Sequence, residues 1–239
     1  SNTTGDKNTA VGSSALESKT TADGNTAVGD AALNNCTGHS NTATGVSAGK
    51  NLQDGNENSC FGVEAGHDLT TGGNNLLLGK HAGRSTSPSG TLNTHNNIVV
   101  LGNNSISDLY CADTSISSSD SRDKTDIADF TKGLDWIKAL RPVTYRWDRR
   151  TWYGTDEQPY GTPDGSKKRS KLHIGFLAQE ALEVEKSNGY GSSKEDMLVV
   201  NLTPDNMSYG MKYERLVPVL VNAIKELSAK VNELESKLN

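Results

Sequence analysis

Read for its apolar positions, the chain begins as a short unit repeated in register. Five blocks align on Asn-x-x-x-Gly: Asn8–Gly12, Asn25–Gly29, Asn41–Gly45, Asn58–Gly62 and Asn75–Gly79. Their glycines stand 17, 16, 17 and 17 residues apart. Alanine recurs three residues after each glycine, as Ala15, Ala32, Ala48, Ala65 and Ala82, followed by Leu16, Leu33, Gly49, Gly66 and Gly83. A degenerate sixth block reads Asn97-Ile98-Val99-Val100-Leu101-Gly102. A fixed short period marks a repeat architecture whose single unit cannot bury its own apolar face. Here one unit offers only small apolar residues, such as Ala10, Val11 and Ala15, against an ordering cost of ~1–2 kcal/mol per residue. Stacked units share buried faces, and association of chains adds more. The blocks therefore predict short strands and turns, an all-β roll or β-helix over residues 1–118. Small residues at fixed positions permit close backbone approach, as at a symmetry axis.

Beyond residue 118 the pattern is that of a mixed α+β domain, residues 119–239. Leu134, Ile137 and Leu140 share one face of a helix that Thr131 caps and Arg141-Pro142 ends. Val143, Tyr145 and Trp147 alternate as in a strand. Residues 151–171 read as a loop rich in Gly, Pro and charge, Ile174–Phe176 as a strand, Gln179–Glu185 as a helix and Met197–Asn201 as a strand. A heptad helix closes the chain, within about residues 213–239, with Ile224, Val231 and Leu238 at a and Leu220, Leu227 and Leu234 at d. Lys230 at g and Glu235 at the next e make an interchain pair. Pro218 marks the first turn or a kink of that helix. β-branched a with Leu at d leans towards two-stranded coils.

Composition sharpens the division. Of the 239 residues 33% are hydrophobic, and the mean hydropathy is −0.60. No apolar run approaches the ~18 residues of a spanning helix, so no membrane insertion is expected. Residues 1–118 hold 16 of the 24 glycines and only two aromatics, Phe61 and Tyr110. They carry ten acids against five bases, which accounts for the whole net charge of −5. The remainder holds the other eleven aromatics, and its nineteen acids balance nineteen bases. Its tryptophans and tyrosines are expected in the core or in trimer contacts. Lys167-Lys168-Arg169-Ser170-Lys171 is short and flanked by Gly, Pro and Ser; it reads as a solvated loop, and no nucleic acid is expected. Cys36, Cys60 and Cys111 lack metal or disulfide spacing, and Cys60 occupies the slot of Ala10, Ala27 and Ala43, a small inward residue. His39, His67, His81 and His95 read as exposed loop residues, so neither a metal nor a cofactor is expected. The polar start, Ser1 to Gly5, is not a signal peptide.

The repeat resembles the head modules of trimeric surface adhesins and similar stretches of phage tail fibres, over about residues 5–102. At the junction, Ser119-Asp120-x-Arg122-x-Lys124-x-x-Ile127 resembles the opening signature of the endosialidase-type intramolecular chaperone, which closes many phage tail spikes and fibres. The resemblance continues in Leu140 to Trp147, in His173 to Glu180 and in Tyr213 to Leu220, in that order. It implies a domain that trimerises, guides folding of the preceding fibre and then cuts itself off between Ser118 and Ser119. By position in the motif, Ser119 is the nucleophile and Lys124 the general base, with Asp120 and Arg122 as candidate supports.

Elementary chemistry constrains the pair. A serine hydroxyl needs a base to become a nucleophile. Lysine serves only if burial or a neighbouring cation such as Arg122 lowers its affinity for the proton. Five residues of α-helix rotate by ~500°, so Ser119 and Lys124 must meet in a turn or across subunits. Ser119 attacks its own preceding carbonyl, or one in another chain; both routes stay open.

The resulting expectation is the end of a phage tail fibre or spike, assembled in the host cytoplasm and carried in the virion. It is a homotrimer whose fibre part binds a host cell-surface glycan or outer-membrane protein. Alternatives are a glycan-degrading tailspike fragment, which needs paired carboxylates on a larger scaffold, and a bacterial trimeric adhesin, which needs a membrane anchor.

Overall fold

The computed structural model describes residues 4–18, 21–110, 119–155 and 157–238. Two compact units form: one from residues 1–108, 147–170 and 203–208, the other from 109–146, 171–202 and 209–239.

The first unit is built on a parallel β-solenoid. Its strands are β1 (Thr9–Val11), β2 (Thr26–Val28), β3 (Thr42–Thr44), β4 (Ser59–Phe61), β5 (Leu76–Leu78) and β6 (Val99–Leu101), stacked in sequence order as one six-stranded sheet. The pairing keeps the sequence register, so Ala27, Ala43, Cys60, Leu77 and Val100 fall on one inward line. All five are buried, with Ala32, Ala48, Ala65 and Ala82 and with Leu33, Leu52, Leu69 and Leu92 beside them. The small residues thus serve close approach of successive coils within one chain, not approach to a symmetry axis. At Gly29 (φ 135°) a Cβ would stand 2.5 Å from the Gly45 carbonyl oxygen of the next coil, which the left-handed backbone alone would already discourage. Position four after each such glycine also has positive φ, 47° at Leu33 and 57° at Gly49. The Leu33 side chain fills the space a Cβ on Gly49 would need, which is why leucine gives way to glycine there.

The repeated asparagine has a separate cause. Asn25, Asn41, Asn58 and Asn75 are all buried. Each stacks on the next: Asn41 Nδ2 donates to Asn25 Oδ1 (3.2 Å) and to the Gly55 carbonyl (2.8 Å), while Asn25 Oδ1 also accepts the Asn41 backbone N–H (2.9 Å). Asn58 and Asn75 repeat the pattern. A buried amide is tolerated only when its donors and acceptors are matched, and the ladder matches them coil by coil.

The last coil is longer. β5 and β6 pair Leu76 with Val99, an offset of 23 residues where the earlier coils take 16 or 17. The extra chain forms the loop around Ser87 to Thr91, closed by the Leu92 N–H to Gly83 carbonyl bond (2.9 Å).

The second unit contains α1 (Leu134–Ala139), β7 (Val143–Tyr145), β8 (His173–Gly175), α2 (Ala178–Ser187), β9 (Val200–Leu202), β10 (Tyr209–Met211) and α3 (Leu216–Leu238). β7 pairs antiparallel with β8, and β9 with β10; β10 has no counterpart in the sequence reading. The aromatics make an ordinary core: Trp136 is buried against Phe130 (5.9 Å, edge to face) and Tyr190. α1 starts at Leu134, two residues later than a Thr131 cap implies. Its cap comes from α3, where Glu226 accepts the Leu134 N–H (3.1 Å) and Asn222 donates to the carbonyls of Phe130 and Lys132. The buried Glu185 of α2 accepts the N–H groups of Leu198, Val199 and Val200 at 2.6–3.0 Å and so anchors the start of β9.

α3 has two apolar faces. Leu216, Val219 and Ala223 are buried within the chain. The heptad positions Leu220, Ile224, Leu227, Val231, Leu234 and Leu238 are all exposed, Ile224 by 66% and Leu238 by 85%.

Candidate active site

Residues 119–124 form a compact polar turn. Asp120 adopts extended φ/ψ and caps a single 3-10 turn, Ser121–Asp123, by accepting the Arg122 N–H at 2.9 Å. The Arg122 guanidinium then forks onto the same carboxylate, with Nε at 3.0 and 3.1 Å and Nη2 at 2.6 Å. The hydrogen bonds from Arg122 hold the Asp120 carboxyl below the usual carboxylate range. Arg122, expected as a cation working on Lys124, is thus a clamp on Asp120.

The 3-10 turn reverses the chain enough for residues five apart to meet. Lys124 leaves the turn in extended conformation, and its Nζ donates to Ser119 Oγ at 2.7 Å. Within the single chain the pair meets in a turn. In this contact the amine donates to the hydroxyl; as a general base it would instead accept the hydroxyl proton. Ser119 and Lys124 are exposed in the single chain, as is the segment as far as Asp129 apart from the half-buried Asp120. The apolar Ile127 of the same motif is 73% exposed. Ser118, and with it the expected scissile bond, lies outside the described residues, as does Cys111.

The later motif segments meet within the second unit. Arg141 forks onto Glu180 (Nε to Oε2, 3.0 Å), and the Tyr213 hydroxyl accepts the Phe176 N–H (3.2 Å).

Other sequence-singled residues fall elsewhere. Cys60 is buried, and burial together with the nearby Cys36 pushes its thiol up to about 12. His67 and His81 are not simple loop histidines. They join Glu64, Asp68 and Arg84 in a half-buried polar cluster, in which Arg84 pairs with Glu64 and Asp68 while His67 Nδ1 lies 2.7 Å from Asp68 and His81 Nε2 3.1 Å from Glu64. Among the described residues no group of three or more His, Cys, Asp or Glu is placed to hold a metal, and no helix is long and apolar enough to cross a membrane.

The basic loop is likewise more ordered than its composition suggests. Lys167 lies over the Tyr153 ring and Arg169 over Trp152, while Arg149 covers Trp147 and Arg150 covers Tyr160. This segment reaches the last solenoid coil through Asn104 and its neighbours, residues that composition and spacing did not single out. The lengthened last coil was the available signal.

Residues 119–190 match the model of a peptidase family described as chaperone of endosialidase. No curated protein and no solved structure matches the chain.

Proposed function

Taking the endosialidase-type chaperone domain at residues 119–190 as premise, we propose that this chain is the end of a trimeric phage tail fibre or spike. Its chaperone drives trimerisation and folding of the solenoid, then cuts the chain between Ser118 and Ser119. The observation that carries the reading is the 2.7 Å contact of Lys124 Nζ with Ser119 Oγ inside the matched stretch.

The step balances as follows. Neutral Lys124 takes the hydroxyl proton as Ser119 Oγ bonds to the Ser118 carbonyl carbon. The Ser118–Ser119 C–N bond breaks, and the freed Ser119 amine takes a proton from the lysine ammonium. Water then hydrolyses the ester between Ser118 and Oγ and restores the hydroxyl. Attack on another chain's carbonyl makes and breaks the same kinds of bond.

Exposure of the pair explains the timing. Lysine gives up its proton when buried or crowded by positive charge, and neither group is buried in the single chain. Neighbouring chains closing over residues 119–129, with the exposed Ile127 beneath them, supply that burial, so cutting waits for assembly. Two apolar surfaces support self-association: the exposed heptad seam of α3, and the outward strand positions Val11, Val28, Phe61, Leu78 and Leu101 of the solenoid. The cut fibre carries the solenoid to a host cell-surface glycan or outer-membrane protein, as part of the virion.

Ser119→Ala abolishes the cut, and Lys124→Ala slows it by ~10²–10⁴-fold, the usual share of a general base. Lys124→Arg does not restore it, because a guanidinium stays protonated. Denaturing gels and intact mass read all three. A fragment ending at Ser118 in the Ser119→Ala chain overturns the assignment.

A further inference from the structure

The segment 147–170 and the β9–β10 hairpin loop 203–208 follow the expected cut in sequence, yet both belong to the same compact unit as the solenoid. Asn104, just beyond β6, is the centre of their contact. It is buried, its side-chain oxygen accepts Arg149 Nη1 (3.2 Å), its Nδ2 donates to Thr151 Oγ1 (3.2 Å), and its carbonyl accepts the Trp152 indole N–H (3.2 Å). Next to it, the Ser105 carbonyl accepts Arg169 Nη2 at 2.9 Å. Asp205 of the hairpin loop accepts the N–H of Thr91, on the lengthened solenoid loop, at 3.1 Å while also accepting the Thr203 hydroxyl at 2.6 Å and the Met207 N–H at 3.0 Å. Burial pushes its carboxyl upward, but the hydrogen bonds from Thr203, Met207, Thr91 and Tyr160 together outweigh it and hold the group below the ordinary range.

From this contact we propose that cutting does not free the chaperone: it stays on the finished solenoid as a non-covalent cap over the last coil. The inference rests on the reading of a cut between Ser118 and Ser119. None of the contacts above includes the junction, so breaking that bond removes none of them. Their chemistry is that of a lasting interface. Arg149, Arg169 and Asp205 contribute charge-assisted bonds, which are shorter and stronger than neutral ones. The arginines are already held over Trp147 and Trp152, so little side-chain freedom remains to be lost on docking. Three copies joined through α3 would dock three such surfaces at once, and effective concentration would hold each in place. Release then requires a second event that competes for these bonds.

The test separates retention from self-cleavage. In the full chain carrying Ser119→Ala, residues 112–117 are replaced by the recognition sequence of a site-specific protease, and the folded protein is cut there. Size exclusion and native mass are then run at micromolar concentration, beside the self-cut parent. The two fragments are expected to remain one species in both samples. Arg149→Ala with Arg169→Ala, introduced into the same chain, is expected to speed separation by ~10-fold or more, since two charged donors are lost. Immediate separation of the protease-cut fragments overturns the proposal, whatever Ser119 does. Equal retention in the double variant overturns the assignment of the cap to this surface. Failure of the parent to cut itself, with the protease-cut fragments still joined, refutes the self-cleavage reading and leaves the cap standing.

Discussion

Asn58 shows how a single side chain supports the solenoid. Its Nδ2 donates to Asn41 Oδ1 in the preceding coil and to the Gly72 carbonyl of the next, and its Oδ1 accepts the Asn75 backbone and side-chain N–H groups. Truncation to alanine leaves the Asn75 N–H and the Gly72 carbonyl without these partners in a dry interior. In the uncut Ser119→Ala chain we expect Asn58→Ala to cost ~2–6 kcal/mol, from one to three per buried unpaired group, read as a lowered denaturation midpoint with unchanged slope. Asn58→Asp should cost more, because it also buries a charge. The sequence announced that asparagine recurs, but not why; the reason is a ladder that exists only between coils. At the candidate site the situation is reversed. Motif spacing named Ser119 and Lys124, and the 2.7 Å contact brings them together. The pairing of Arg122 with Asp120 was not legible from spacing, because only the folded turn places the carboxylate under the guanidinium.

Among the elements, α3 is the one whose two faces make different demands. Leu216, Val219 and Ala223 are spent inside the chain, and Asn222 and Glu226 hold the start of α1. The heptad seam remains exposed, a cost in water of roughly 1.5–3 kcal/mol for each large apolar side chain left unburied. Ile224→Asp with Leu227→Asp places charge in that seam without touching the inner face. The expected result on native mass is loss of the proposed trimer, with the helical signal of α1 and α2 retained. An unchanged trimer would show that the seam is not the contact. Heptad periodicity made this helix and its seam legible. The start of α1 was not legible, because its cap lies 92 residues away at Glu226.

For the whole molecule, the order of events matters more than any one contact. Parallel coils pair residues 16 to 23 apart, and nothing in one coil is stable before the next has closed. Under the proposed cut, a chaperone in the same chain addresses that difficulty only until the bond is broken. We therefore expect Ser119→Ala protein, fully denatured and diluted, to regain its solenoid, whereas denatured cut fibre separated from its chaperone does not. Recovery of β-signal and resistance to protease measure the difference, and equal recovery would show that the domain contributes nothing to folding. The stability of the finished fibre is then a matter of unfolding rate, not equilibrium.

By itself the sequence determined the solenoid's period and inward line, the terminal helix with its seam, and the motif that brings Ser119 and Lys124 together. All of these are set by local spacing, where backbone geometry translates directly into position. The tertiary structure alone decided that small residues serve coil on coil within one chain, that Glu226 caps α1, and that residues 147–170 and 203–208 fold with the solenoid. Those depend on hydrogen bonds between segments far apart in sequence, such as Thr91 with Asp205 across 114 residues. No periodicity encodes such partners, because they are chosen by the shape of the completed fold.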